Sequence, residues 1–317
     1  MKYHFPAGSR ATRNTTVSID PIGDAAAQPQ EPAQDRPDWQ YTGLTVVELE
    51  AGGSHELDLV GREAVVVPLH GSVDVEVDGI ARHLFGRENP WGVTDVLYAP
   101  LGSHVALHSV AGCRFAIAWS VAERVFPVQY IAADAVSSEL RGAGICSRQV
   151  NNFGTPAALR ADRIIVCEVM QPGGNWSSYP PHKHDTATET ETVLEEIYYY
   201  EVAPSPVGTP GFALQRVYAS DAGEIDVTVE VRTGDVVLIP HGYHGPTVAA
   251  PGHDLYYLNV MAGPADPSRD DRQWLISDDP QHTWIRQSWE HEAIDPRLPF
   301  GAAKQQGATA RTSEDSE

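Results

Sequence analysis

DVVLIPHGYH, residues Asp235–His244, and DVLYAPLGSH, residues Asp95–His104, are two versions of one phrase. Each opens on Asp, continues as a short run of apolar and β-branched residues, and ends Pro-x-Gly-x-His. Pro100 and Pro240, Gly102 and Gly242, and His104 and His244 are all separated by the same offset, 240 − 100 = 140 residues. The apolar run reads as a buried strand, and the Pro-x-Gly that follows reads as a turn. A repeat at this distance predicts two copies of one β unit rather than a short-period solenoid. The junction is expected around Asp134–Thr155, where SSELRGAG reads as a short helix.

The flanking sequence agrees. AVVVPL from Ala64, SVDVEVDG from Ser72, HVALHSV from His104 and RFAIAWSV from Arg114 surround the first phrase. RIIVCEVM from Arg163, EEIYYYEV from Glu195, FALQRVYAS from Phe212, IDVTVEVRTG from Ile225 and DLYYLNVMAG from Asp254 surround the second. Many short strands punctuated by turns such as Asp78-Gly79 and Thr233-Gly234-Asp235 argue for an all-β fold, two barrels or sandwiches with few short helices. The expected organisation is a polar segment over 1–36, a first barrel over 37–140 and a second over 141–300. A tail over 301–317 has almost nothing to bury and is expected to be disordered.

Composition narrows the function. A formal charge of −21 over 317 residues repels phosphate backbones and anionic membranes, so neither nucleic acid nor a membrane is expected as a partner. No run approaches the roughly 18 apolar residues of a membrane helix. The first residues, MKYHFPAGSRATRN, contain no apolar core of a secretory signal, so the expected location is the cytoplasm. Cys113, Cys146 and Cys167 are odd in number and widely spaced, and read as small buried apolar residues rather than a disulfide framework. The remaining expectation is a small ligand, with a homodimer as a possible assembly.

The chemistry concentrates in the second copy. In PPHKHD, His182 and His184 stand at i and i+2, so an extended backbone turns both imidazoles to one side. Glu196 opens the next strand, and pairing across the TATETETV loop brings its carboxylate toward the histidines. His244 closes the Pro240-x-Gly242 turn over the same interior. Three imidazoles and a carboxylate suit one divalent ion, Zn or Mn first, with Fe, Co and Ni also compatible. The first copy has His70 and His104 but no His-x-His followed by Glu, and reads as a barrel without metal ligands.

These residues carry a resemblance. The His-x-His, later Glu, and Gly234-x5-Pro240-x-Gly242 followed by His244 resemble the two cupin motifs. The runs NWSSYPPHKHD, EEIYYYEV, FALQRVY, GDVVLIPHGYH and DLYYLNVMAG resemble the 5-deoxy-glucuronate isomerase family of myo-inositol catabolism over roughly Asp38 to Phe300. A longer gap from His-x-His to Glu and a single Tyr243 between Gly242 and His244 depart from the general cupin pattern and are similar to this isomerase family. The resemblance implies a metal-dependent aldose–ketose isomerisation of 5-deoxy-D-glucuronate to 2-deoxy-5-keto-D-gluconate, without a redox cofactor.

The base that moves the proton is left among Glu196, Tyr198, Tyr218 and a hydroxide on the metal. An anionic sugar acid needs a cation, and Arg216, sharing strand parity with Tyr218, is expected to point inward to it. Tyr243, beside His244, is expected to reach substrate. Lys183 and His241 read as surface residues, Glu195 as structural, and QWLISDDPQHTWIRQSW after Arg272 as a segment able to wrap the barrel mouth. Alternatives are an isomerase of a related 4-deoxy-5-keto-hexuronate, a non-catalytic sugar-binding cupin, and an Fe(II)-dependent dioxygenase.

Overall fold

A computed structural model describes residues 3–11, 15–20, 39–265 and 272–300. Much of the polar segment 1–36 and the whole tail 301–317 lie outside the described residues. Among the described residues strands dominate, every strand pairing recorded is antiparallel, and the one α-helix is the single turn Ile285–Ser288. Among the described residues, no helix is long and apolar enough to cross a membrane.

The first half folds around Arg62–Val77, which pairs with Val96–Ala99 and Cys113–Val121 through its first part and with Ile80–Arg87 and His104–Ser109 through its second. A register shift between Pro68 and His70 lets the strand turn from one sheet into the other. Thr42–Leu49 and Gly53–Asp58 complete the barrel. The second half repeats the plan. Val236–Ile239, Glu195–Val202, Leu255–Ala262, Ile165–Gln171, Arg148–Gly154 and Ser137–Arg141 form one sheet in that order. Gly223–Val231, Ala213–Ser220, Tyr243–Ala249, His182–Lys183 and Ser277–Asp278 form the other.

Strand alternation sorts the apolar residues into three cores. Val66, Leu97, Val105, Ile117 and Trp119 fill the first barrel, and Tyr198, Tyr200, Val217, Val227 and Tyr257 fill the second. Between the barrels, Val65, Tyr98 and Ala118 from one half pack against Ile197, Tyr199 and Leu258 from the other. The three cysteines are buried and free.

Charged groups also cross this interface. Glu63 accepts the backbone N–H groups of Asp162, Arg163 and Ile164, at 2.8, 2.6 and 2.8 Å. Glu195 returns the contact by accepting those of Gln40, Tyr41 and Thr42, at 2.8, 2.6 and 2.5 Å. Each barrel thus pins the chain leading into the other's sheets, and Glu195 faces away from its neighbour Glu196. Arg87 adds a bidentate pair to Glu168, with the closer contact at 2.7 Å, and Arg114 adds one to Glu201 at 2.6 Å.

Three local expectations change. SSELR is a strand, Ser137–Arg141, because pairing with Arg148–Gly154 overrides any helical tendency of so short a run. Sheet membership accordingly passes from the first barrel to the second between Ile131 and Ser137. The N-terminal segment is not wholly peripheral: His4–Phe5 pairs with Val236–Ile239 of the second barrel, and Thr15–Ile19 with Thr42–Leu49 of the first.

Candidate metal centre

Three segments converge on one end of the second barrel. His182 lies directly opposite His244 in the strand register, so these two imidazoles face each other across a ladder position. His184 is fixed where the loop Asp185–Leu194 closes on itself: its carbonyl accepts the Leu194 N–H at 2.9 Å, and its Nδ1 meets the Leu194 carbonyl at 2.8 Å. Glu196 follows two residues later and projects to the same interior. Gly242 and Gly245 make this convergence possible. Both have positive φ, and a Cβ would stand 2.6 Å from the Tyr218 carbonyl at Gly242 and 2.6 Å from Ser178 at Gly245.

The ligand atoms of His182, His184 and His244 lie within 4.8 Å of one another. The Glu196 carboxylate is 3.1 Å from His184 Nε2 and 3.0 Å from His244 Nε2. Both of those imidazoles direct Nδ1 at a backbone carbonyl, His184 at Leu194 and His244 at Gly242, the latter at 2.9 Å. A carbonyl only accepts, so Nδ1 carries a proton in both rings, and Nε2 is the atom that each turns to Glu196. With neutral rings, lone pairs and carboxylate oxygens would face one another in a buried space, an arrangement that a cation, proton or metal, resolves. His244 Nε2 is buried and directed at the Glu196 carboxylate 3.0 Å away, so its ligand atom is aimed into the cluster. The donor set therefore fits a divalent ion.

The electrostatics agree. Burial, reinforced by His244 and His184, holds the His182 pKa well below its ordinary value, so its imidazole is neutral. Burial opposes ionisation of Glu196, but the hydrogen bonds from His184 and His244 win and hold it at about 2. Burial likewise opposes a charged His184, and the bond to Glu196 raises it. Below the cluster, Tyr198 packs against His244 at 6.4 Å and against Tyr257 at 5.0 Å between ring centroids. Burial raises the Tyr198 phenol well above its usual range, so it stays protonated.

Not every residue singled out from the sequence joins this group. Val217 packs in the barrel interior, so alternation turns Arg216 and Tyr218 to the opposite face of the sheet. Arg216 is 38% exposed there and pairs with Asp226, against the inward direction expected of it. Tyr218 donates to Asp279 at 2.5 Å and stacks on Tyr243, its register partner, at 5.5 Å. Both tyrosines therefore stand on the face away from His244.

Lys183 is drawn in rather than left at the surface, bridging Asp185 and Glu191 at 2.8 Å each. Asp185 in turn accepts from Ser220 at 2.5 Å and from the Gly242 N–H at 2.8 Å, tying the His182-x-His184 segment to the turn before His244. His241 is partly buried beside Gly223. The segment after Arg272 does wrap the barrel mouth: Ser277–Asp278 pairs with His182–Lys183, and the Asp279 N–H reaches the Pro181 carbonyl at 2.8 Å. Sequence reasoning missed Asp185 and Asp279, because their partners are distant in the chain and their spacing follows no motif.

With the geometry in place, comparison with known proteins becomes informative. The model of the KduI/IolB family matches residues 23–285. The 5-deoxy-glucuronate isomerase of Geobacillus thermodenitrificans is 37% identical over 258 residues, covering 79% of this chain and 88% of that protein. The 5-deoxy-glucuronate isomerase of Bacillus subtilis strain 168 is 36% identical over 256 residues, covering 78% and 89%. Among solved structures, an IolB-like protein from Salmonella typhimurium LT2 superposes with a TM-score of 0.76 at 31% identity, over 90% of this chain and 99% of that one. The oxalate decarboxylase of Lactobacillus farciminis, at 13% identity and a TM-score of 0.56, covers 87% and 88% and shares the two-barrel cupin fold.

Proposed function

The chain belongs to the KduI/IolB family, and from that membership and the His182, His184, Glu196 and His244 cluster we propose that it is a metal-dependent 5-deoxy-glucuronate isomerase. It converts the aldose 5-deoxy-D-glucuronate into the ketose 2-deoxy-5-keto-D-gluconate, a step of myo-inositol catabolism that we assign to the cytoplasm. The observation that carries the reading is the buried cluster itself, three histidine ligand atoms within 4.8 Å of one another around a carboxylate held ionised.

The four residues would hold one divalent ion, zinc or manganese, which as a Lewis acid acidifies the C–H beside the carbonyl and stabilises negative charge on the adjacent oxygens. What the chain itself supplies follows from its geometry. Glu196 is the ionised carboxylate buried among the three histidines, and we assign it the transfer of the proton from C2 to C1. Its orientation is set by His184 and His244, which are fixed in turn by the Leu194 and Gly242 carbonyls. Tyr198 remains protonated beside His244 and offers a phenolic hydrogen to an oxygen of the substrate. The segment 272–300 covers the mouth and limits water, which would otherwise exchange with the transferred proton.

We assign the chemistry to the second barrel, which the chain enters at Ser137, and structural support to the first, which it leaves after Ile131. The test is to supply the metal-loaded protein with 5-deoxy-glucuronate and follow ketose formation by NMR, with a 4-deoxy-5-keto-hexuronate as competitor. We expect ketose from the first at the higher kcat/KM. No ketose from either substrate at full metal occupancy rules the reading out.

A further inference from the structure

An anionic six-carbon substrate with its carbonyl end at the metal needs a cation at the other end, and Arg216 faces away from the barrel interior. The second barrel contains a different arginine that no carboxylate satisfies. Arg148 opens the strand Arg148–Gly154, on the same side of the chain as Val150, which packs in the barrel interior. Its guanidinium lies 5.9 Å over the Trp289 ring and donates from Nη1 to the Cys146 carbonyl at 3.1 Å. Cys146 itself is a buried thiol.

Two like charges crowd Arg148, and a carboxylate it acts on, Glu139, is already paired with Arg141. Arg141, its register partner, and Arg286, from the segment across the mouth, both act on it, yet each has a carboxylate of its own: Glu139 at 2.9 Å and Asp278 at 2.5 Å. Among the described residues, Arg148 has none within ion-pair distance. Val150, two residues on, lies opposite Val169, and Val169 opposite Tyr257, whose ring stands 5.0 Å from Tyr198, itself 6.4 Å from His244, so the Arg148 side of the strand faces the interior shared with the histidines. Burial also pushes its pKa down, whereas Arg87, Arg114, Arg286 and Arg297, each facing a carboxylate, are pushed up. A half-buried guanidinium beside two other arginines, in a chain of net charge −21, is a costly arrangement unless an anion joins it.

We propose that Arg148 binds the carboxylate of the sugar-acid substrate, with the Trp289 ring against its guanidinium plane. The proposal rests on the isomerase reading for the identity of the substrate. The carboxylate accepts two hydrogen bonds from the planar fork while the carbonyl end lies at His182, His184, Glu196 and His244. One cation then selects uronic acids over neutral aldoses.

The test compares Arg148→Gln and Arg148→Lys with the metal-loaded wild type on two substrates, 5-deoxy-glucuronate and its neutral C6 carboxamide. Calorimetry follows binding of the substrate reduced at C1 to the alcohol. We expect Arg148→Gln to raise KM for the acid and Kd for the alcohol by about 10- to 100-fold. Kinetics on the carboxamide should change by less than about 3-fold, metal content should be unchanged, and Arg148→Lys should recover part of the loss. An unchanged KM for the acid, or equal losses on acid and carboxamide, overturns the proposal. If the wild type makes no ketose, the isomerase reading fails instead, and the calorimetric comparison still reports whether Arg148 holds the anion.

Discussion

The two barrels place the same ladder positions in the same register, and only one of them has metal-ligand chemistry there. His182 faces His244 in the second barrel, and Asp58 faces His104 in the first. Glu196 pairs with Ile239, and Ala64 pairs with Ala99, the residue 239 − 99 = 140 positions earlier. The residue two beyond His182 is the buried His184, whereas two beyond Asp58 stands Val60, 80% exposed. Across from Glu196 lies Met261, but across from Ala64 lies Trp119, whose indole fills the first barrel beneath the Arg62 guanidinium at 4.1 Å. His104, the counterpart of His244, bonds to Asp58 at the surface at 2.8 Å. The backbone therefore does not make a metal centre. Three side chains and the removal of one indole do.

The positions that stayed alike are equally informative. By the same register Glu63 corresponds to Glu195, and both grip three consecutive backbone N–H groups of the opposite barrel. The carboxylate that serves the fold is present in both barrels, whereas the one that serves chemistry stands in one.

The comparison breaks most sharply at a ligand. His184→Ala should abolish metal binding and lower kcat/KM by about 10³-fold, because the group that polarises the carbonyl is lost. The thermal unfolding profile should stay cooperative, since the barrel cores do not include the ligands. Elemental analysis beside the assay checks this, and full occupancy in His184→Ala would remove it from the ligand set.

The converse substitution is next in size. Ala64→Glu puts a carboxylate at the position of Glu196 but leaves it against Trp119 with no imidazole, which should cost about 3–5 kcal/mol in denaturant unfolding. Metal stoichiometry should remain one per chain. A second bound ion would show that the first barrel needs only the carboxylate.

Glu63→Gln tests the shared device by removing charge from bonds to Asp162, Arg163 and Ile164. A loss of about 2–3 kcal/mol with kcat/KM within about 2-fold of wild type is expected. A catalytic loss larger than the stability loss accounts for would show that the first barrel acts on the site.

The smallest effect concerns the segment that closes only the second barrel. Arg297, with help from the Asn175 side chain, holds the Asp295 carboxyl at about 2 against an ordinary 3.8. A depressed pKa means that the unfolded chain binds the proton more tightly, so this contribution is present above pH 3.8 and lost as pH falls through about 2. Asp295→Asn should cost about 2 kcal/mol at neutral pH, and the difference from wild type should shrink across that acid window. A pH-independent difference would mean that packing, not charge, holds the segment.

The sequence alone determined the features that depend on short-range periodicity. Strand alternation announced an all-β chain, the Asp-to-His phrase announced its duplication, and His182, His184, Glu196 and His244 were legible because strand geometry and a turn give them fixed spacing. Alternation also turned Glu195 away from Glu196, although which backbone it would grip was not legible. Only the tertiary structure decided the direction of Arg216, since a strand has two faces and a lone arginine does not say which one is wet. The same holds for Lys183, whose partner Glu191 lies across a loop, and for Ser137–Arg141, whose partner strand outweighs its own propensity. Arg148 is the clearest case. In sequence it is one arginine among many, and what marks it is that no carboxylate among the described residues pairs with it, a property set by residues from separate segments that meet only in the folded chain.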